Sequence, residues 1–185
     1  MRDYSDSIPK PMVPVGDRPI LWHVMRYYAH FGHREFTLCL GYRADVIKDF
    51  FLRYAETAAN DFVLSDGGRP VERLRSDIHD WRINFVDTGL DAPVGQRLLA
   101  VRDQLGEDDV FLANYGDVLT DAPLDELVAR FQRSGKMAAF IAVRPTSYTF
   151  HLVATNRRDQ VTSLQSISSS DLRINGGYFM FRRAI

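Results

Sequence analysis

Phe36-Thr37-Leu38-Cys39-Leu40-Gly41-Tyr42 is a short, nearly all-apolar run ending in a glycine and a tyrosine, the pattern of a parallel strand covered on both faces. Just upstream, Ile20, Leu21, Val24, Met25, Tyr28 and Phe31 recur at helical spacing, and Asp17 as cap, Pro19 and Gly32 bracket a helix over 17–32. The alternation continues downstream. A helix is expected over 44–57, a strand over 83–87, a helix over 94–105 and a strand over 110–113. The next helix carries Thr120 or Asp121 as cap, Pro123 in its first turn, a stripe of Leu124, Leu127, Val128 and Phe131, and Gly135 as stop. A buried strand over 137–143 follows, then shorter strand-like runs over 152–154, 161–164 and 178–181. Strand alternating with helix predicts a mostly parallel sheet flanked by helices, with ligands held beyond the carboxyl ends of the strands. The loops after Tyr42, Asp87 and Ala113 are therefore where function is sought.

The stretch over 60–81 breaks this rhythm. Ser65-Asp66-Gly67-Gly68-Arg69-Pro70 is turn-rich and polar, so an excursion from the main sheet is expected there. With 185 residues, 45% of them apolar, the chain reads as a single domain over 1–185. The formal net charge is -1, which supplies no overall field toward nucleic acid or an anionic membrane; any anionic ligand must be held by a local site. The one cysteine, Cys39, excludes a disulfide framework and points to a reducing, cytoplasmic compartment. Met1-Arg2-Asp3-Tyr4-Ser5-Asp6 is polar where a signal peptide is apolar, and no run approaches the ~20 residues of a membrane span.

Four segments carry chemistry-bearing residues. Ile8-Pro9-Lys10-Pro11-Met12-Val13-Pro14 surrounds one lysine with three prolines, predicting an extended, stiff presentation of its ammonium; a surface lysine in a proline-rich connection is the alternative. Asn114-Tyr115-Gly116-Asp117 places a carboxylate at the tip of a strand beside a glycine, a donor set that suits Mg²⁺, although Asp is also a common turn residue. Asp87-Thr88-Gly89 and Pro93-Val94-Gly95-Gln96-Arg97 form a pair of polar loops suited to a base or ribose. Asn175-Gly176-Gly177 offers an amide to a sugar hydroxyl, or makes a β-turn or bulge. There is no Walker or dinucleotide glycine motif and no His/Cys cluster at metal spacing.

Taken together and in order, Pro9-Lys10-Pro11-Met12-Val13, Pro19-Ile20-Leu21-Trp22-His23, Leu40-Gly41-Tyr42, Val86-Asp87-Thr88-Gly89, Tyr115-Gly116-Asp117 and Ile174-Asn175-Gly176-Gly177-Tyr178-Phe179 resemble the sugar-1-phosphate nucleotidyltransferases, with the cytidylyltransferase branch nearest. The resemblance runs from Asp3 to Phe181. It implies a Rossmann-like α/β fold and transfer of a nucleotidyl group from a nucleoside triphosphate, CTP by the nearest branch, to a sugar 1-phosphate such as glucose 1-phosphate, releasing pyrophosphate. On the family pattern Lys10 is the cation on the triphosphate and Asp117 the Mg²⁺ ligand. Thr88, Gly89, Gly95, Tyr115 and Gly116 bind the nucleotide, while Asn175 and Gly176 contact the sugar phosphate.

The sequence also departs from that pattern. The family's glycine-rich loop G-G-x-G-T-R would precede Met1 and its second metal carboxylate would follow Ile185, so the expectation is a portion incomplete at both ends, of low stability or self-associating as a homo-oligomer through uncovered strand edges. Ser166-Ile167-Ser168 stands where the family has E-K-P, whose lysine grips the sugar phosphate, and Phe150-His151-Leu152 stands where relatives show F-G-A-L. These departures motivate an alternative reading: a catalytically degenerate nucleotide-binding or regulatory protein on the same scaffold.

Overall fold

The computed structural model describes residues 8–68, 71–145 and 150–185. The polar start at Met1 to Asp6, the first residue of the resemblance, Asp3, and Arg69-Pro70 of the turn-rich stretch lie outside the described residues. Where the sequence alone reads one domain, the contacts fall into two compact units. One holds the described residues up to Asp108 together with Leu119–Asp125, and the other holds Asp109–Val118 with Glu126–Ile185.

In the first unit, β1 (Pro14–Val15) turns at Gly16 and pairs antiparallel with β2 (Arg18–Pro19), which leads into α1 (Ile20–His30). The predicted start at Asp17 is thus three residues early. Asp17 lies in the turn and pairs with Arg18, and the helix is preceded by Pro19 in extended conformation with no side-chain cap. Then come β3 (Glu35–Leu40), α2 (Ala44–Leu52), α3 (Glu56–Ala59), β4 (Phe62–Leu64), β5 (Val71–Arg73), β6 (Arg82–Asp87) and α4 (Val94–Ala100). The helix expected over 44–57 is broken between Leu52 and Glu56, where the Tyr54 hydroxyl donates to Asp77 at 2.5 Å. Asp77 is buried, and Asn60 also donates to it. Although burial works to raise its pKa, the hydrogen bonds from Tyr54 and Asn60 hold the Asp77 carboxyl below its ordinary range. The helix expected over 94–105 likewise ends at Ala100 and continues as a 3₁₀ turn at Arg102–Gln104. Within 60–81, β4 and β5 form their own two-stranded antiparallel sheet.

The parallel pair β3–β6 runs in register from Glu35↔Arg82 to Leu40↔Asp87. Alternation divides its faces. Phe36, Leu38, Ile83 and Phe85 pack with Leu21 and Met25 of α1 and Ile47 of α2 around buried Leu40. On the opposite face the Cys39 thiol meets the carbonyl of Arg97 in α4 at 3.8 Å. Burial raises the thiol's pKa, which suits the structural reading of that residue. Most residues of these strands are half-buried, short of the full cover on both faces expected from composition.

In the second unit, β11 (Ile174–Arg182) runs antiparallel between β7 (Val110–Asn114) and β8 (Ala138–Val143). Among the described ladders, parallel pairing is therefore confined to β3–β6. β7 and β8 run parallel to each other, but β11 lies between them and reverses both pairings. A separate hairpin pairs β9 (His151–Thr155) with β10 (Val161–Ser166). β8, expected to be buried, is an edge strand with Phe140 56% exposed, because nothing pairs with its outer side among the described residues.

α5 spans Leu124–Ser134 with Leu124 and Phe131 buried. It starts just after Pro123, and the Thr120 hydroxyl accepts from the Ala122 amide. Its far end is held by Arg182, whose guanidinium donates to the carbonyls of Gln132 and Lys136 at 3.1 Å each and lies over the Phe131 ring.

Candidate active site

The sequence-predicted residues gather in two places. In the first unit, both β3 and β6 end at the register pair Leu40↔Asp87, and the next residue, Thr88, turns back on Leu40. Its amide and its hydroxyl both donate to the Leu40 carbonyl at 2.9 Å, while the Asp87 carboxylate accepts from the Gly89 amide at 3.0 Å. Arg97 closes this loop. Its guanidinium donates to the Thr88 hydroxyl at 2.7 Å, to the Leu40 carbonyl at 3.2 Å, and to the carbonyls of Ala92 and Leu90 at 2.9 Å each. A Cβ on Gly41 would stand 2.8 Å from the Gly89 carbonyl and 3.0 Å from both terminal Arg97 nitrogens, so the clamp requires bare backbone there. Gly95 lies in the first turn of α4, two residues before Arg97, with open space where its Cβ would be. Sequence reasoning quoted Arg97 without giving it a role, because its acceptors are mostly backbone carbonyls and no residue type announces them.

Lys10 belongs to the same unit but stands by itself. Instead of the extended segment expected from its prolines, Lys10–Met12 forms a single 3₁₀ turn between extended Pro9 and Val13, with Pro11 supplying a helical φ inside it. The Lys10 side chain is exposed and makes no hydrogen bond or ion pair with the described residues.

In the second unit, the carboxyl end of β7 meets the start of β11. Asn114 accepts from the Gly116 amide and donates to the Gly177 carbonyl at 3.0 Å. The Tyr115 amide also donates to the Gly177 carbonyl, at 3.3 Å. Along β11, Asn175 faces Ala142 and Phe179 faces Phe140, so two extra residues stand on β11 between these pairs, a bulge formed around Gly176-Gly177. Of the structural alternatives, β-turn or bulge, the bulge is the one present. Gly177 has φ +77°, and a Cβ there would lie 3.2 Å from the Tyr115 ring and 3.2 Å from Val118. One on Gly176 would lie 3.0 Å from the Ile141 carbonyl. The bulge aims Asn175 at Tyr115: its amide nitrogen donates to the phenol oxygen at 2.9 Å, and its carbonyl oxygen accepts from the Gly177 amide at 2.8 Å.

Asp117 follows directly on this loop. It is half-buried, and its carboxylate makes no hydrogen bond or ion pair with the described residues. A lone, partly desolvated oxygen donor fits an ion such as Mg²⁺, which takes one or two carboxylates and completes its shell with water and substrate phosphates. Among the described residues no group of three or more His, Cys, Asp or Glu is placed to hold a metal. A surface pocket of about 290 Å³, lined by Arg18, Phe50, Arg53, Tyr54 and neighbouring alanines, contains none of the predicted site residues. No helix among the described residues is long and apolar enough to cross a membrane.

No protein-family model matches the chain. Among curated proteins it is 35% identical over 180 residues to the "Probable glucose-1-phosphate cytidylyltransferase" of Bacillus subtilis, covering 97% of this chain and 69% of that protein. It is 33% identical over 179 residues to the glucose-1-phosphate cytidylyltransferase of Salmonella typhimurium, covering 96% and 68%. Among solved structures it resembles HddC from Yersinia pseudotuberculosis, with TM-score 0.58 and 18% identity over 96% of this chain and 68% of that one. It also resembles UDP-glucose pyrophosphorylase complexed with UDP-glucose, with TM-score 0.63 and 13% identity over 97% and 70%. These likenesses establish the fold as the α/β, Rossmann-like one of the nucleotide-diphospho-sugar transferases. By identity and coverage, the chain belongs to the glucose-1-phosphate cytidylyltransferase family of sugar-phosphate nucleotidyltransferases.

Proposed function

We propose that the chain carries out nucleotidyl transfer from CTP to glucose 1-phosphate. An oxygen of the sugar phosphate attacks the α-phosphorus of the triphosphate, the bond to the bridging oxygen breaks, and pyrophosphate leaves. The observation that carries this reading is the Asp117 carboxylate, half-buried and unpaired among the described residues at the end of β7, in a chain 35% identical to a curated cytidylyltransferase. Little covalent work is needed from the protein, because the reaction depends on holding two polyanions in line and countering the charge on the phosphoryl oxygens. Lys10 supplies a cation toward the triphosphate. Thr88, Gly89 and Gly95 serve the base and ribose from a loop that Arg97 holds shut. Asn175 and Gly176 serve the sugar phosphate. Asp117 would hold Mg²⁺, which when bound neutralises charge on the phosphate oxygens.

The reading places the protein in the cytoplasm, where both substrates would be met, and includes association into a homo-oligomer, which light scattering on the purified chain would test. A steady-state pyrophosphate-release assay with CTP and glucose 1-phosphate tests the reaction itself. Turnover that depends on Mg²⁺ and is lost in Asp117→Asn, with the fold intact by circular dichroism, is expected.

The alternative, a nucleotide-binding protein without turnover, is favoured by one feature. His151 and Ser166, both at positions that depart from the family pattern, are direct cross-strand partners on β9 and β10. Tight CTP binding with no pyrophosphate release, whatever sugar phosphate is offered, would select it.

A further inference from the structure

We infer that Tyr115 is a positioning residue for the sugar 1-phosphate, which it serves by fixing the Asn175 carboxamide, and is not a nucleotide contact. The inference rests on the transferase reading above and assigns a residue of that same site.

The geometry leaves the Asn175 side chain one orientation. Its oxygen is committed to the Gly177 amide at 2.8 Å and one of its N–H groups to the Tyr115 phenol oxygen at 2.9 Å. Exchanging the amide's oxygen and nitrogen would set an N–H against the Gly177 N–H and lose that bond, so the Gly177 amide fixes the orientation in which Asn175 donates to the phenol. The phenol accepts that bond and keeps its own O–H, and the amide keeps its second N–H. Both residues are exposed, and the second Asn175 N–H, held in direction by the phenol, is the donor offered to an oxygen of a sugar phosphate.

Tyr115 itself is held by the strand that carries Asn175. Its ring meets Phe179 edge-on at 5.2 Å, and Phe179 in turn stacks on Phe181 at 5.7 Å. Its backbone amide bonds to the Gly177 carbonyl. Gly177 has no Cβ where one would press on the tyrosine ring at 3.2 Å. The β7–β11 ladder ends at Asn114↔Tyr178, so the Tyr115–Asn175 bond lies beyond the last pair of those two strands, while Asn175 keeps its place in the sheet by pairing with Ala142 of β8. Register is thus set by backbone pairing, which leaves the side-chain bond between two exposed polar groups to orient the amide.

The test is Tyr115→Phe, which keeps the ring and its contact with Phe179 and removes only the hydroxyl. KM for glucose 1-phosphate is expected to rise about three- to tenfold, the worth of one hydrogen bond, with KM for CTP and the thermal midpoint unchanged. Asn175→Ala should raise the same KM, and adding Tyr115→Phe to it should cost nothing further. In ¹⁵N-labelled protein, the Asn175 side-chain amide resonance should shift in Tyr115→Phe with no substrate present. Equal increases in KM for CTP and glucose 1-phosphate would overturn the assignment, as would additive effects in the double variant. If the unmodified chain releases no pyrophosphate, the transferase reading fails, and calorimetric affinity for glucose 1-phosphate decides separately. A weakening confined to this ligand in Tyr115→Phe supports the positioning role, and no binding to the unmodified chain overturns it.

Discussion

Replacing Arg97 with Met would remove four hydrogen bonds while keeping most of the side chain's apolar length. The losses are unequal. Leu40 keeps both donors from Thr88, and the Thr88 hydroxyl still donates to Leu40, so neither becomes an unsatisfied group. Leu90 is exposed, and its carbonyl regains water. What disappears is the charge-assisted tie across the ends of β3 and β6 and the anchor on Ala92, together worth about 2–4 kcal/mol. Both tryptophans of the chain, Trp22 and Trp81, lie in the same unit as Arg97, and Trp81 packs on Phe36 of β3. Their fluorescence during urea unfolding therefore reports on the affected half of the molecule. A midpoint lower by roughly 1 M is expected at an ordinary dependence on urea. CTP affinity should fall several-fold as the Thr88–Pro93 loop loosens. Arg97→Lys should recover less than half of the loss, because one ammonium cannot reach acceptors spread around a planar fork. A midpoint shift below about 0.2 M, with CTP affinity unchanged, would show that the loop closes without Arg97.

Lys10→Ala should weaken CTP about tenfold and CMP much less, as measured by calorimetry, because its charge is assigned to the outer phosphates; equal losses would remove it from the phosphate chain. Two tyrosines should titrate late by phenolate absorbance. Burial, reinforced by the charges of Asp125 and Asp121, pushes Tyr27 up to about 12, and burial with the hydrogen bond to Asp77 pushes Tyr54 up to about 12. Since both folded values lie above the ordinary value near 10, their stabilisation is complete below pH 10 and is lost as pH rises through 12. Removing Asp77 as Asn should bring Tyr54 back toward its ordinary range and leave Tyr27 unmoved.

What the sequence revealed was set by local chemistry. α1 and β3 were legible because apolar spacing and terminal residues are written within a dozen positions, whereas Asp117 and Asn175 were marked by the family resemblance, since an Asp after a strand and an Asn beside two glycines are also ordinary turn chemistry. The errors came from distant partners. Tyr54 breaks the helix expected over 44–57 because it is drawn to Asp77, 23 positions away, and nothing near residue 54 records that attraction. Pro19 was read as part of a helix because helical periodicity starts beside it, whereas Gly16 folds the preceding residues into a hairpin. The antiparallel course of β11 between β7 and β8 left no trace in the composition of any of the three strands. Arg97 was opaque for the same reason, since its partners are carbonyls assembled only when two parallel strands end together.

The departures from the family pattern also look different once folded. In sequence, Phe150-His151 and Ser166-Ile167-Ser168 are separate changes, one adding an imidazole and one removing a lysine. In the β9–β10 hairpin His151 lies directly opposite Ser166, the Ile167 amide bonds to the Phe150 carbonyl at 3.2 Å, and the hydroxyls of Ser166 and Ser168 are 2.8 Å apart. Directly opposed residues share a face, so the His151 imidazole and the Ser166 hydroxyl stand on the same side of the hairpin. Position by position, the lysine of E-K-P falls at Ile167, next to Ser166, so restoring it alone would leave the His151 imidazole where the pattern has glycine. The two departures thus meet at one end of the hairpin, and KM for glucose 1-phosphate in His151→Gly, Ile167→Lys and the double variant should show non-additive changes, whereas additive ones would make them independent.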